Sequence, residues 1–323
     1  MRWTLVLALC LAAVPAGARD FWRRTGRGEL TRQRAALVAE GDRYMLQAQS
    51  AMANAGEGPT PAMVQAAARN AIAAYERALA LSEDADVHYR AFFAANFIDD
   101  RKGDICAACR DGFEATVRHA EAVFRLDPST PEARDLAFQS CLALSKLGGL
   151  AGSNADQYFE RALQMYDRFR SLVDEVSDQS RSAHSRSISY SNAAELLMAL
   201  GRLDEAIDYY RRAIEAYSIE PLHYYGLAVA YDRDGQWKKA AAAMRTALEL
   251  SGYEGIGRLR KFDVFFVPQG DVFYYQGLAE EVLGNRDSAI DNYNRFLVRS
   301  PGNRYLDRAR EHLQDLDPGG ARK

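Results

Sequence analysis

Apolar positions in the last third of the chain recur at helical spacing. Ala206, Tyr210 and Ala213 follow i, i+4, i+7, and so do Ala240, Met244 and Ala247. Each set is the stripe that one face of a helix presents to a neighbour, so the spacing predicts a helix over each stretch. The stripes also repeat. Gly201, Ala206 and Ala213 recur as Gly235, Ala240 and Ala247, each 34 positions further on. Tyr190, Leu197, Leu203 and Tyr210 recur in the same way as Tyr224, Tyr231, Trp237 and Met244, conserving size class rather than identity. A third copy fills the slots with Gly284, Ala289, Tyr293 and Phe296 and closes at Pro301. Small alanines at fixed points let one helix approach the next, and large residues fill the groove beside them. The glycines follow the first helix of each unit, where a positive φ ends a helix without steric cost.

Weaker copies precede these. Residues 71–82, with Tyr75 and Ala78, and residues 115–128, ending at Pro128, read as second helices of hairpins. Their first helices are predicted over 35–53 and 86–99, the former followed by the loop NAGEGPTP. A longer pair is predicted over 131–147 and 154–176, the second helix striped by Phe159, Leu163, Tyr166, Phe169, Val173 and Val176. A helix over 303–316 closes the end.

The repeat resembles the tetratricopeptide repeat (TPR) family, whose 34-residue units are helical hairpins. Unit 221–254 carries the likeness through Tyr224, Leu227, Ala228, Tyr231, Gly235, Trp237, Ala240 and Ala247, and unit 187–220 through Ala194, Gly201, Leu203, Ala206, Tyr210 and Ala213. Unit 270–303 matches through Phe273, Gly277, Gly284, Ala289, Tyr293 and Pro301, with Glu280 where a large apolar residue is usual. The resemblance implies an all-α, right-handed α-α superhelix, a TPR-like solenoid of about six hairpins plus a C-terminal capping helix. The expected organisation is a signal peptide over 1–18, a basic arm over 19–34, divergent hairpins over 35–186, repeats over 187–317 and a tail over 318–323.

The resemblance also implies a site. In this family the first helix of each hairpin lines a concave, protein-binding groove. Carried onto this chain, the inward positions are Ser191, Glu195 and Met198, then Tyr225, Val229, Asp232 and Arg233, then Tyr274, Leu278 and Glu281. The family's clamp for C-terminal carboxylates needs Lys and Asn at such places, and these positions hold neither. The implied ligand therefore has apolar anchors and one or two charges, not an acidic tail. Tyr225 and Tyr274 serve either as anchors or as packing for neighbouring turns.

The register breaks once. Gly235 and Gly284 are 49 positions apart where 34 would continue it, which marks an insertion near 252–269. It runs from Arg258, Arg260 and Lys261 into Phe262, Val264, Phe265, Phe266 and Val267, an aperiodic aromatic and β-branched stretch that reads as extended. It serves as a structural wedge, a lid on the groove or a docking edge.

Composition narrows the role. Forty-one Lys and Arg against 44 Asp and Glu leave a net charge of −3, which argues against a general nucleic-acid binder. The apolar run Trp3 to Val14 follows Arg2 and ends in Pro15 and Ala16-Gly17-Ala18, the order of a cleaved secretory signal. Lipid attachment at Cys10 is the alternative. No later stretch is long and apolar enough to span a bilayer. After cleavage the start holds Arg19, Arg23, Arg24, Arg27, Arg32 and Arg34, either an arm for an acidic surface or a frayed terminus.

An exported protein meets oxidants, so Cys106 and Cys109 are read as a disulfide and Cys141 as a buried apolar residue, with a bridge from either to Cys141 as the alternative. A CxxC pair also serves thiol redox chemistry, but no βαβ pattern surrounds this one, and a four-Cys zinc site lacks its second pair. The five histidines share no ligand spacing, Asp99, Asp100 and Asp104 lack the EF-hand order, and phosphate-loop and nucleophile-elbow motifs are absent. The expectation is a non-catalytic scaffold for a protein or peptide, without cofactor or metal, in the periplasm or secreted. A part in a cell-envelope assembly or secretion complex is the alternative, and a thiol-redox factor a further one. Oligomeric state is left open.

Overall fold

The computed structural model describes residues 16–53, 61–98, 106–174, 179–251 and 270–318. The expected signal core with Cys10, most of the NAGEGPTP loop, the Asp99, Asp100 and Asp104 cluster, the 252–269 insertion and most of the tail lie outside them.

All regular structure among the described residues is helical. The helices are α1 (Ala16–Ala53), α2 (Pro61–Leu81), α3 (Ala85–Ala95), α4 (Arg110–Leu126), α5 (Ala133–Leu150), α6 (Ala155–Asp174), α7 (Gln179–Ala199), α8 (Leu203–Ala216), α9 (Pro221–Arg233), α10 (Trp237–Ser251), α11 (Asp271–Leu283), α12 (Arg286–Arg299) and α13 (Leu306–Leu316). Short 3-10 turns, Ala107–Cys109 and Gly152–Asn154, lead into α4 and α6. The pairs α1/α2, α5/α6, α7/α8, α9/α10 and α11/α12 pack as hairpins. The chain forms two compact units, one holding the residues up to 98 with 121–127, the other 99–120 and everything from 128.

The stripes explain the pairs. Ala206, Tyr210 and Ala213, then Ala240, Met244 and Ala247, then Ala289, Tyr293 and Phe296 are each fully buried. The helices approach closely where a glycine of the first helix meets an aromatic ring of a second. A methyl group built on Gly226 would lie 2.2 Å from the Tyr210 ring, and one on Gly277 2.9 Å from Tyr293. Helix ends repeat as strictly. Gly201, Gly235 and Gly284 take φ of 80°, 74° and 81°. The next amide reaches back to the first helix at 2.8 Å each time: Arg202 to the Leu197 carbonyl, Gln236 to Tyr231, Asn285 to Glu280. That bond satisfies a carbonyl the helix leaves open. Glu280, the residue out of pattern, is buried and accepts a hydrogen bond from Asn285 Nδ2 at 2.8 Å.

Boundaries differ from the periodic reading at three places. α1 begins at Ala16, so the basic arm is helical backbone continuous with the helix expected from residue 35. Local bonds fit this, with Arg32 paired to Glu29 at 2.6 Å and Thr31 bonded to the Arg27 carbonyl at 2.9 Å. α7 begins at Gln179, ahead of the repeat register, where Ser182 Oγ donates to the Val173 carbonyl at 3.2 Å and ties it to α6. α13 packs on α12, as a cap does, but its leading residues reach further, to α7 and α9.

In the first unit, Asp42 of α1 accepts from Tyr75 of α2 at 2.8 Å and from Arg90 of α3 at 2.9 Å. Arg34 and Asp84 pair at 2.8 Å, and Asp84 also caps α3 by accepting from the Val87 amide.

Candidate functional site

The ten positions assigned to an open groove are interior. Ser191, Glu195, Met198, Tyr225, Val229, Asp232, Arg233, Tyr274 and Leu278 are buried, and Glu281 is half-buried. Helices α7, α9 and α11 converge here, and residues 303–312 lie against them. Tyr225 is packing: its ring is fully buried and its hydroxyl bonds Ser251 Oγ at 2.9 Å. Tyr274 is also core, edge-on to Tyr293 and Phe296 with centroids 5.6 and 5.1 Å away, and its hydroxyl donates to Asp232.

The structure joins several of these residues in one polar network. Glu195 Oε1 accepts from the hydroxyls of Tyr210 and Tyr275, while Oε2 has no partner. Arg233 Nη2 pairs with Asp271 at 2.8 Å, both side chains at most 2% exposed, and its guanidinium lies over the rings of Tyr305 and Tyr274 at 4.2 and 4.9 Å. Asp271 also accepts from Asn303 Nδ2 at 2.7 Å. Asp232 takes Arg308 at 2.7 Å and His312 Nε2 at 2.8 Å, and His312 Nδ1 reaches Glu281 at 2.8 Å.

Burial and partners set the charges. Burial pushes the Glu195 carboxyl up to about 8, against the two tyrosine hydroxyls and Arg233, so it is mostly protonated at neutral pH. Burial opposes charge on His312 too, but its hydrogen bonds to Asp232 and Glu281 prevail and raise it to about 9, so it is imidazolium. The Asp232 carboxyl, though buried, is held below its ordinary value by His312, Arg308 and Tyr274. His223 differs: burial, then His184, lowers it to about 3, and neither ring nitrogen has a partner.

Periodicity misses Asp271, Asn303, Tyr305, Arg308 and His312 as members of this network. The one signal in the chain is the spacing of Tyr305, Arg308 and His312, which places them on one helical face.

An open recess lies elsewhere in the second unit, between the starts of α5 and α7 and the end of α6, with a volume of about 370 Å³. Its apolar wall is Phe138, Phe169, Val173 and Ile188, the two rings 5.2 Å apart. Its rim carries Glu132, Arg134, Asp135 and Ser185. Phe169 and Val173 belong to the stripe visible in the sequence; the mouth depends on how three helix ends meet, which a stripe does not encode.

Cys106 and Cys109 are joined by a disulfide at the turn before α4, and Cys141 is free and buried. Among the described residues no cluster of His, Cys, Asp or Glu is placed to hold a metal, and no helix is long and apolar enough to cross a membrane.

Two family models described as tetratricopeptide repeat match the chain, one over residues 185–251 and one over 271–303. A TPR repeat-containing protein of Methanocaldococcus jannaschii is 27% identical over 117 residues, 35% of this chain and 20% of that protein. The chain thus spans about a fifth of that relative's length. A tetratricopeptide repeat protein from Parabacteroides merdae superposes at a TM-score of 0.41 with 17% identity, over 66% of this chain and 70% of the other. PilW, described as a type IV pilus biogenesis factor, superposes at 0.40 with 13% identity, over 83% and 96%. The repeated stripes and the glycine-ended hairpins fall in the two segments that match tetratricopeptide-repeat models, so the chain carries tetratricopeptide repeats at 185–251 and 271–303.

Proposed function

We propose that the chain is a non-catalytic, exported scaffold that holds a protein segment in the recess between α5 and α7. The observation that carries this reading is the recess itself, an apolar wall of Phe138, Phe169, Val173 and Ile188 under a rim of both charge signs. A concave site with few polar groups is the form that recognition sites take. It lies at the first helices of successive hairpins, where stacking builds a recessed surface without any chemistry. Peptides selected from a displayed library against the full mature chain test it. Phe138→Ala is expected to weaken the selected peptides at least about tenfold, as loss of a central aromatic anchor does. Val298→Ala, on the solvent-exposed face of α12, is expected to leave them unchanged. Selection that yields no binders, or binders indifferent to Phe138, overturns the reading.

Export rests on the order Arg2, apolar run, Pro15, Ala16-Gly17-Ala18, and is supported by the Cys106–Cys109 disulfide, a bond that persists in oxidising compartments. The mature protein is expected to begin at Arg19. N-terminal sequencing of protein from native cells checks this; a lipidated start at Cys10 or an uncut chain refutes it.

A further inference from the structure

The face that the repeat register assigns to a ligand is covered by the chain itself. Arg304 Nε donates to the Ala199 carbonyl at 2.9 Å, satisfying the open end of α7, and its Nη2 pairs with Asp156 at 2.9 Å. Tyr305 donates to the Met198 carbonyl at 2.6 Å, with its ring beneath the Arg233 guanidinium. Arg308 and His312 then take Asp232 and Glu281, each contact between 2.7 and 2.8 Å. Tyr305, Arg308 and His312 follow i, i+3, i+7, so one helical face delivers an aromatic ring and two cations to three first helices.

The hold combines these polar contacts with ring packing, His312 stacking on Tyr293 with centroids 4.8 Å apart, and little aliphatic burial. Within 303–316 only Tyr305, Ala309 and His312 are buried, while Leu306, Leu313 and Leu316 are half-buried and Asp307, Arg310 and Glu311 face solvent. A helix of 11 residues does not persist alone in water. The position of α13 therefore depends on contacts that equivalent side chains on another segment can replace one for one. The receiving side is also charge-biased. It presents Asp232, Asp271 and Glu281 against one cation, Arg233, which Asp271 already engages. Without 303–312, Asp232 and Glu281 lose their cationic partners, so any occupant has to restore positive charge.

We propose that residues 303–312 are an intramolecular ligand of the surface formed by α7, α9 and α11. On their displacement this surface receives a helical protein segment carrying an aromatic residue and two cations at i, i+3, i+7. This site is separate from the recess between α5 and α7 and stands or falls without it. It agrees in chemistry with the ligand that the groove positions imply, an apolar anchor with one or two charges, but places the first such ligand within the chain.

Two measurements on the full chain decide it. In native-state hydrogen exchange, the amides of Leu306–Leu316 are expected to exchange at least about tenfold faster than those of Pro221–Arg233, because a replaceable segment opens without the hairpins. In the second, a fluorescent peptide copying residues 303–316 is the probe. It is expected to bind the full chain carrying Tyr305→Ala and Arg308→Ala at least tenfold more tightly than the wild type, whose site is filled. A peptide with Glu in place of the arginine and histidine equivalent to Arg308 and His312 is expected not to bind. Exchange of α13 in step with α9, failure of the doubly substituted chain to fold, or a folded double variant that takes the peptide no better than wild type each overturns the proposal.

Discussion

Arg233→Leu is expected to lower the free energy of unfolding by about 3–5 kcal/mol, the usual result of removing one partner from a buried ion pair. The side chains of Arg233 and Asp271 are 1% and 2% exposed, so Asp271 would be left with Asn303 as its remaining polar partner and no countercharge. Burial already pushes the Asp271 carboxyl above its ordinary value, and Arg233 is the main group opposing that. Without Arg233 the aspartate either takes up a proton or remains an uncompensated charge, and both are unfavourable at neutral pH. The guanidinium also leaves the faces of Tyr274 and Tyr305, where desolvated cation–π contacts contribute of the order of 1–2 kcal/mol. Adding Asp271→Leu to Arg233→Leu is expected to recover part of the loss, because an apolar pair requires no countercharge. Urea unfolding followed by far-ultraviolet circular dichroism measures all three variants. Losses that simply add would show that the two side chains are not coupled.

The hairpins were legible because their cause is local and repeated. Each second helix needs small residues where it touches its partner, and Ala206, Ala240 and Ala289 carry that requirement at one register. Each first helix needs a left-handed residue at its end, and Gly201, Gly235 and Gly284 supply it. The site was less legible because its contacts obey no repeat offset. Arg233 and Asp271 pair directly but belong to neighbouring units whose register is broken by the insertion between them in the sequence. Glu195 reaches Tyr275 two hairpins away, and Asp232 is met by Arg308 and His312 from beyond the last repeat. The register picks out residues that face inward. Whether the inside is an open groove or a closed core is decided by what the end of the chain covers, and the capping helix carries no repeat signal to tell. Tyr225 and Tyr274 show the result: both face inward, and both are core.

Glu195 makes stability depend on pH over an unusual range. Its carboxyl titrates near the ordinary glutamate value of 4.5 in the unfolded chain and about 8 in the folded one, because burial disfavours the charged form more than Tyr210, Tyr275 and Arg233 favour it. The folded state therefore holds a proton that the unfolded state has released, and stability falls as pH rises between these two values. At roughly 1.4 kcal/mol per pK unit, the contribution across that window is a few kcal/mol. His312 acts in the same direction at higher pH. Its raised value, about 9, makes its contribution full below 6.5 and lost as pH climbs through 9. Asp232 acts in the opposite sense, its contribution present above its ordinary 3.8 and lost under acid. Glu195→Gln separates the first effect from the other two, because glutamine keeps an acceptor for the two tyrosines but has no proton to lose. The variant is expected to be close to wild type at pH 5 and to gain on it by a few kcal/mol by pH 8. Urea unfolding at half-unit steps of pH reads the difference. Parallel stability curves for the two proteins would mean that Glu195 is already ionised in the fold, with its charge carried by Arg233 and the tyrosine hydroxyls.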